Sequence, residues 1–522
     1  MSGSQWRPKG NPWLIAVVVT VAAFMEVLDT TIVNVSLPHI AGSLSSSYDD
    51  ATWALTSYLV ANGIVLTISG WLANVFGRKR YFMICIGMFT VFSFLCGTAQ
   101  TLPELILFRL MQGFFGGGLQ PNQQSIILDT FEPSQRGRAL SIVAIATVVA
   151  PIIGPTLGGY ITDNIGWRWI FFINIPIGIM GLFGVAALVE DPPWLKNRAK
   201  QGIDYIGISL ITLGLGCLQV ALDRGEDEDW LGSPFIRIMF LLAFLGIVGA
   251  IGWLLTAKKP VVNLVVMGDR NFALGVTMIA AMAFILYSSA VIIPQFAQQV
   301  VGYTATLAGL ILSPGGFVII LLIPMVTRIL NIVQTRHLIA IGFTMMGCSL
   351  FYSSDLTPYM SFLRLSSLRA SQTAGLAFLF VPISTIAFSS LPRELNGDAA
   401  ALYTMFRNVA GSIGISVSTA LITQRTQVRQ AYLSQWMTPF NQPYNTLVQH
   451  NQAALLASGH AAATTQSTAV GVVYQTFLTQ ASVLAYTDVF QICAIGAFCI
   501  VPLTFLFSNY KPAPGVKVQA GH

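Results

Sequence analysis

A chain of 522 residues that is 54% apolar and only 9% charged is not a soluble globular protein, where about a quarter of the residues carry charge. Its apolar residues come in runs of about 20 separated by short polar loops, as in a polytopic α-helical membrane protein; a β-barrel would alternate over segments of about ten. The net charge of +6 does not point to nucleic acid, because it is one-sided. Eighteen of the 27 basic residues, from Arg7 and Lys9 through Arg78, Lys79, Arg80, Arg136 and Arg138 to Lys511 and Lys517, fall on one side of the expected topology. That asymmetry places both termini in the cytoplasm.

In chain order, spans are expected near 14–36, 52–73, 81–99, 103–125, 139–161, 168–189, 204–222, 235–257, 272–299, 307–327, 337–354, 368–391, 398–423 and 486–508. Residues 7–24 imitate a signal peptide, but the apolar run continues past Asp29 without a small-residue cleavage site, so a retained first helix is expected. The polar, proline-bearing stretch 190–202 reads as a linker, DRGEDED (223–229) as an acidic outer loop, and 424–485 as a long outer segment able to form amphipathic surface helices or a mobile loop. Arg109 and Gln112 recur as Arg369 and Gln372 at an offset of 260, and Pro38 recurs as Pro294 at a similar one. The expected organisation is therefore an all-α membrane protein of two related six-helix bundles, 1–190 and 272–522, with a linker and two inserted helices in 191–271. All six cysteines sit in apolar runs at unpatterned spacings and read as buried small hydrophobes.

The first span, LIAVVVTVAAFMEVLDTTIVNVSLP (14–38), carries Glu26 and Asp29 three positions apart, on one helix face. An ionised carboxylate at mid-bilayer depth costs at least ~2.5 kcal/mol, so it should face a cavity or a partner. Asp29 lies ~22 Å from the cytoplasmic edge at ~1.5 Å per residue, and Arg109 ~9 Å from the outer edge. In a core ~30 Å thick the two share a level, as a proton-exchanging pair or as a static one that fixes helix packing. Glu26, one turn nearer the cytoplasm, is a site for a cationic solute or second proton, or a neutral hydrogen-bonded group. Arg407 reaches mid-depth in the thirteenth span, as an anion-binding or counter-charge residue or as a packing one. Asn34, Tyr58, Asn62, Gln112, Gln120 and Asn122 are candidate cavity-lining residues, although amides also bridge helices in membranes.

Four stretches carry a family resemblance. VLDTTIVNVSLP (27–38), GWLANVFGRKR (70–80), LILFRLMQGFFGG (105–117) and APIIGPTLGGY (150–160) resemble signatures of the fourteen-span drug:proton antiporters of the major facilitator superfamily. One departure is Asn74, where the loop motif usually has an acid, so a salt bridge from that position is not expected. The resemblance implies alternating access and export of hydrophobic or amphipathic drugs in exchange for protons across a bacterial inner membrane. It also implies a periplasmic adaptor and an outer-membrane channel as partners. It assigns gating to Gly70, Gly77 and Arg78 and conformational roles to Gly154, Pro155, Gly158 and Gly159. From the residues alone, Arg78 with its neighbours is a membrane-surface anchor and the glycines are close-packing positions.

No G-x-x-x-x-G-K-S/T loop is present, so no nucleotide site is expected, and the five histidines have no metal-binding spacing; no cofactor is expected. Energy must then come from an ion gradient or the membrane potential, worth ~2.3 kcal/mol per charge per 100 mV. The alternatives are a proton-coupled carrier of one metabolite or fatty acid and, remotely, a membrane-embedded transferase.

Overall fold

A computed structural model describes residues 8–192, 203–330, 332–458 and 461–508, and among these there are helices and no strand. Most of the expected linker at 190–202, with the terminal Arg7, Lys511 and Lys517, lies outside the described residues. Helix α1 (Pro12–Ser43) begins where Asn11 accepts the Trp13 amide and Pro12 fills the first helical position. Helix α2 (Tyr48–Phe76) is capped by Ser47 and ends at Gly77, whose φ of +84° suits a residue without Cβ, and α3 (Arg78–Thr98) starts at once. The fourth expected span is two helices, α4 (Leu102–Gly116), opened by a Thr101–Glu104 capping box, and α5 (Leu119–Thr130). Helices α6 (Pro133–Asn164), α7 (Trp169–Phe172) and α8 (Asn174–Leu188) follow.

Next come the inserted pair α9 (Tyr205–Arg224) and α10 (Pro234–Thr256). The remainder is α11 (Arg270–Gln299), α12 (Ala305–Leu310), α13 (Ser313–Ile329), α14 (Thr335–Tyr352), α15 (Phe362–Ala387), α16 (Asn396–Ser434), α17 (Gln442–Ala457) and α18 (Ala462–Ile500). Among the described residues eleven helices are long and apolar enough to cross a membrane, or twelve with α6, bent by 42° near Pro151, as one span. The other two expected spans fall on the glycine-interrupted α4–α5 and on the 18-residue α14, so fourteen crossings remain an expectation.

Two sets of contacts repeat. Helix α1 packs on α2, α5, α6 and α8, and α3 packs on α4 and α8; likewise α11 packs on α15, α16 and α18, and α14 on α15 and α18. The two sets meet along a seam where α2 lies on α16 and, in the mirrored contact, α6 lies on α12 and α13. The inserted α9 crosses this seam at one edge. Arg224 donates to Thr52 Oγ1 at 2.6 Å and Asp223 accepts from Thr56, both on α2. On the α16 side Gln219 donates to Ser412 at 3.3 Å, and Ser416 donates to the Leu222 carbonyl at 2.7 Å.

The segment 424–485 is mostly helix continuous with its neighbours. Helix α16 runs unbroken to Ser434, tied by Arg429 to Asp488 of α18 through two hydrogen bonds at 2.6 and 3.1 Å. Val428, Tyr432, Trp436 and Phe440, four residues apart, are all exposed.

Candidate functional site

The glycines of LMQGFFGGG (110–118) let α4 press onto α2. A Cβ on Gly113 would overlap the Tyr58 carbonyl, and one on Gly117 the Asn62 carbonyl. That approach carries the polar side chains of α4 and α5 into the space between α1 and α2.

Asp29 and Arg109 meet there, both wholly buried. Arg109 Nη1 donates to Asp29 Oδ2 at 2.5 Å, and its Nε donates to the Ala54 carbonyl at 3.2 Å. The guanidinium lies 4.0 Å above the Tyr58 ring, a favourable position for a cation over a π face. Asp29 Oδ1 accepts from Gln112 Nε2 at 3.0 Å and Asn174 Nδ2 at 2.8 Å, so the carboxylate is ringed by donors. Ser93 completes the group by accepting from Asn174 at 3.0 Å. The carboxylate thus has three donors, one of them the facing cation. Adding a proton would remove the ion pair and one acceptor.

One turn along α1, Glu26 accepts from Asn62 at 2.9 Å, from Tyr58 at 3.5 Å and from Gln120. Gln120 in turn accepts from Arg407 on α16, so a single amide joins the Glu26 carboxylate to a guanidinium across the seam. The buried Asn122 makes no hydrogen bond through either side-chain atom, leaving a donor and an acceptor for a ligand or water. Asn34 stands apart from this group. It is exposed, because five residues beyond Asp29 the helix presents a different face.

At the end of the bundle that bears the basic loops, the seam is shut. Arg78 is 1% exposed and ion-paired with Asp129 of α5, which corrects the surface-anchor expectation for this residue. Asn396 of α16 donates to Asp129 at 3.0 Å, and Arg136 of α6 donates to the Phe388 carbonyl at 3.4 Å. A Cβ on Gly70 would lie 2.9 Å from both Gly397 O and Asp398 Oδ1, so α2 and α16 touch backbone to backbone. Gly77 backs onto the Asp191 carboxylate. Asn74 Oδ1, where the family pattern has its acid, is buried without a partner.

Gly154 and Gly158 face Thr31 and Ile32, which brings α6 onto α1; Gly159 is looser, with Val35 Cγ1 3.9 Å from an added Cβ. Pro155 lies inside α6 next to Gly309 of α12, on the other side of the seam. Asp129, Asn174 and Ser93 are not among the expected site residues, and the span expected at 368–391 puts Arg369 at its outer boundary. Helix α15 starts at Phe362, six residues earlier than expected, so Arg369 is buried. A lone amide in the apolar run WRWIFFINIPIG was the available signal for Asn174.

Comparison with known proteins agrees with this architecture. The family model described as Major Facilitator Superfamily matches residues 19–415. The chain is 37% identical to the multidrug export protein EmrB of Haemophilus influenzae, over 92% of this chain and 93% of that one. It is 36% identical to the multidrug export protein EmrB of Escherichia coli K12, over 94% and 93%. Among solved structures, the proton:xylose symporter XylE superposes with a TM-score of 0.55 at 16% identity, covering 94% of this chain and 96% of that one. A multi-pass helical chain with these matches is a transporter and not an enzyme; it belongs to the Major Facilitator Superfamily.

Proposed function

We propose that this chain is a drug:proton antiporter that exports hydrophobic or amphipathic compounds by alternating access. The observation that carries the reading is the buried Asp29–Arg109 pair, one helical turn from a Glu26 carboxylate linked through Gln120 to Arg407 on the opposite side of the seam. Ionisable groups at this depth persist where they serve transport, because burial without function is costly. The two relatives named as multidrug export proteins support the substrate class.

In the proposed cycle residues 1–190 and 272–522 act as two bundles, with 191–271 as linker and inserted pair. The present arrangement, shut where Arg78, Asp129 and Asn396 meet, faces away from the cytoplasm. A proton from outside neutralises Asp29 and frees Arg109 from its carboxylate. Release of that proton toward the cytoplasm accompanies return to the drug-accepting state. Glu26 with Arg407 senses drug charge, and Tyr58, Asn62, Gln120 and Asn122 line the path. Arg78 and Asp129 latch the cytoplasmic gate with Gly70, while Gly154, Pro155 and Gly158 keep α6 close to α1 as the bundles rock. The exposed face of Val428, Tyr432, Trp436 and Phe440 receives an EmrA-like periplasmic adaptor, which joins a TolC-like outer-membrane channel.

The deciding experiment is drug-driven proton flux in proteoliposomes, wild type against Asp29→Asn. Loss of coupled flux with drug binding retained is expected. Unchanged coupled flux would remove Asp29 from the mechanism.

A further inference from the structure

The first-bundle network has a second copy. Asp29, Ser93, Arg109 and Gln112 are followed 260 residues later by Ser289, Ser353, Arg369 and Gln372. The copies match in spacing and in which side chains meet: the arginine and its helix-one partner are separated by 80 residues in each, and the arginine and glutamine by 3. The difference is one residue type. Where Asp29 answers Arg109, a serine answers Arg369.

Arg369 is therefore a buried cation without a carboxylate. It is 1% exposed and donates from Nη1 to Ser289 Oγ at 2.8 Å and to Gln372 Oε1 at 3.4 Å, while its Nε has no acceptor. No acidic side chain of the described residues pairs with it. Gln372, lacking an aspartate to bond, donates to Ser353 at 3.0 Å. The Ser289 and Ser353 hydroxyls spend their protons on the Leu286 and Ser349 carbonyls and are free to rotate away from them. Helix α13 packs against this stretch: a Cβ on Gly315 would sit 2.8 Å from Thr373 Cγ2 and 3.4 Å from Arg369 Cγ. A desolvated guanidinium needs an opposite charge, and this one meets only neutral hydroxyl and amide oxygens.

We propose that Arg369 binds a small monovalent inorganic anion, chloride in the cell, in the place that Asp29 fills in the first copy. Ser289 and Ser353 turn their hydroxyl hydrogens to the anion, and the Arg369 Nε–H completes the donor set. The site needs neither the drug nor the proton, so it stands apart from the antiport reading.

The test is equilibrium binding of radiolabelled chloride to the purified full-length protein, with thermal unfolding in chloride against gluconate at equal ionic strength. Wild type should bind about one chloride per chain and unfold about 2–4 °C higher in roughly 300 mM chloride. Ser289→Asp supplies the missing charge covalently, so it should bind no chloride and unfold at the same temperature in both salts. Arg369→Gln should also bind none. Wild type without saturable chloride and with an anion-independent unfolding temperature would overturn the site. So would chloride binding that survives in both variants, which would place the ion elsewhere.

Discussion

Arg109 and Arg369 occupy the same place in two copies of one helical pattern, yet their surroundings differ by a full charge. Around Arg109 the carboxylate of Asp29 and the face of Tyr58 balance the cation. Around Arg369 the partners are neutral. The steric solution also switches sides. In the first copy the small residue is Gly113 on the arginine helix, pressed against Tyr58; in the second, position 373 carries Thr373 and the gap is provided by Gly315 on the facing helix. A duplicated scaffold has thus kept its cation and exchanged the group that can take up a proton.

The sharpest way to break the comparison is to make the same change in both copies. Asp29→Asn strands Arg109 in the interior, and unfolding of the purified protein should show a loss of about 3–5 kcal/mol together with the loss of coupled flux. Ser289→Asn, which alters no charge, should leave drug-driven proton flux intact; equal damage from both would mean that the copies work alike. Next in size, Gly113→Thr should destabilise the protein by about 1–3 kcal/mol even though its counterpart is already a threonine, because the Tyr58 backbone leaves no room. A thermal scan unchanged by that substitution would show that α4 can retreat from α2. Smaller again, Gln120→Ala cuts the amide between Glu26 and Arg407 and should cost about 1 kcal/mol, with a larger effect on KM for cationic than for neutral drugs in transport assays. Smallest in liposomes should be serine at Val428, Tyr432 and Trp436. These changes should spare reconstituted flux and reduce resistance in cells, and normal resistance would count against adaptor docking on that face.

Much of this was legible in the residues. Apolar run length located the helices, and Glu26, Asp29 and Arg109 stood out because charge within lipid needs a reason. Depth along the helix axis, counted at ~1.5 Å per residue, brought Asp29 and Arg109 to one level. Azimuth was harder. Asn34 had the right polarity but is exposed, five residues past Asp29 on α1. Asp129 falls beyond the span expected at 103–125, whereas α5 continues to Thr130 and buries it against Arg78. Arg369 was misplaced for the opposite reason, since α15 begins before its apolar run does. For Asp129 and Arg369 the deciding contact joins segments far apart in sequence, and the periodicity of a single sequence does not show which faces meet.

The inserted helix α9 has a mechanical consequence. It is fastened to α2 through Thr52 and Thr56 and to α16 through Ser412 and Ser416, a pair of attachments on each side of the line along which the halves would have to part. Any swing of one body past the other stretches this tether until one pair of fastenings lets go. In the proposed rocking cycle, these few contacts of Asp223, Arg224, Gln219 and Leu222 at the rim would contribute to the barrier between states, apart from the Asp29–Arg109 pair.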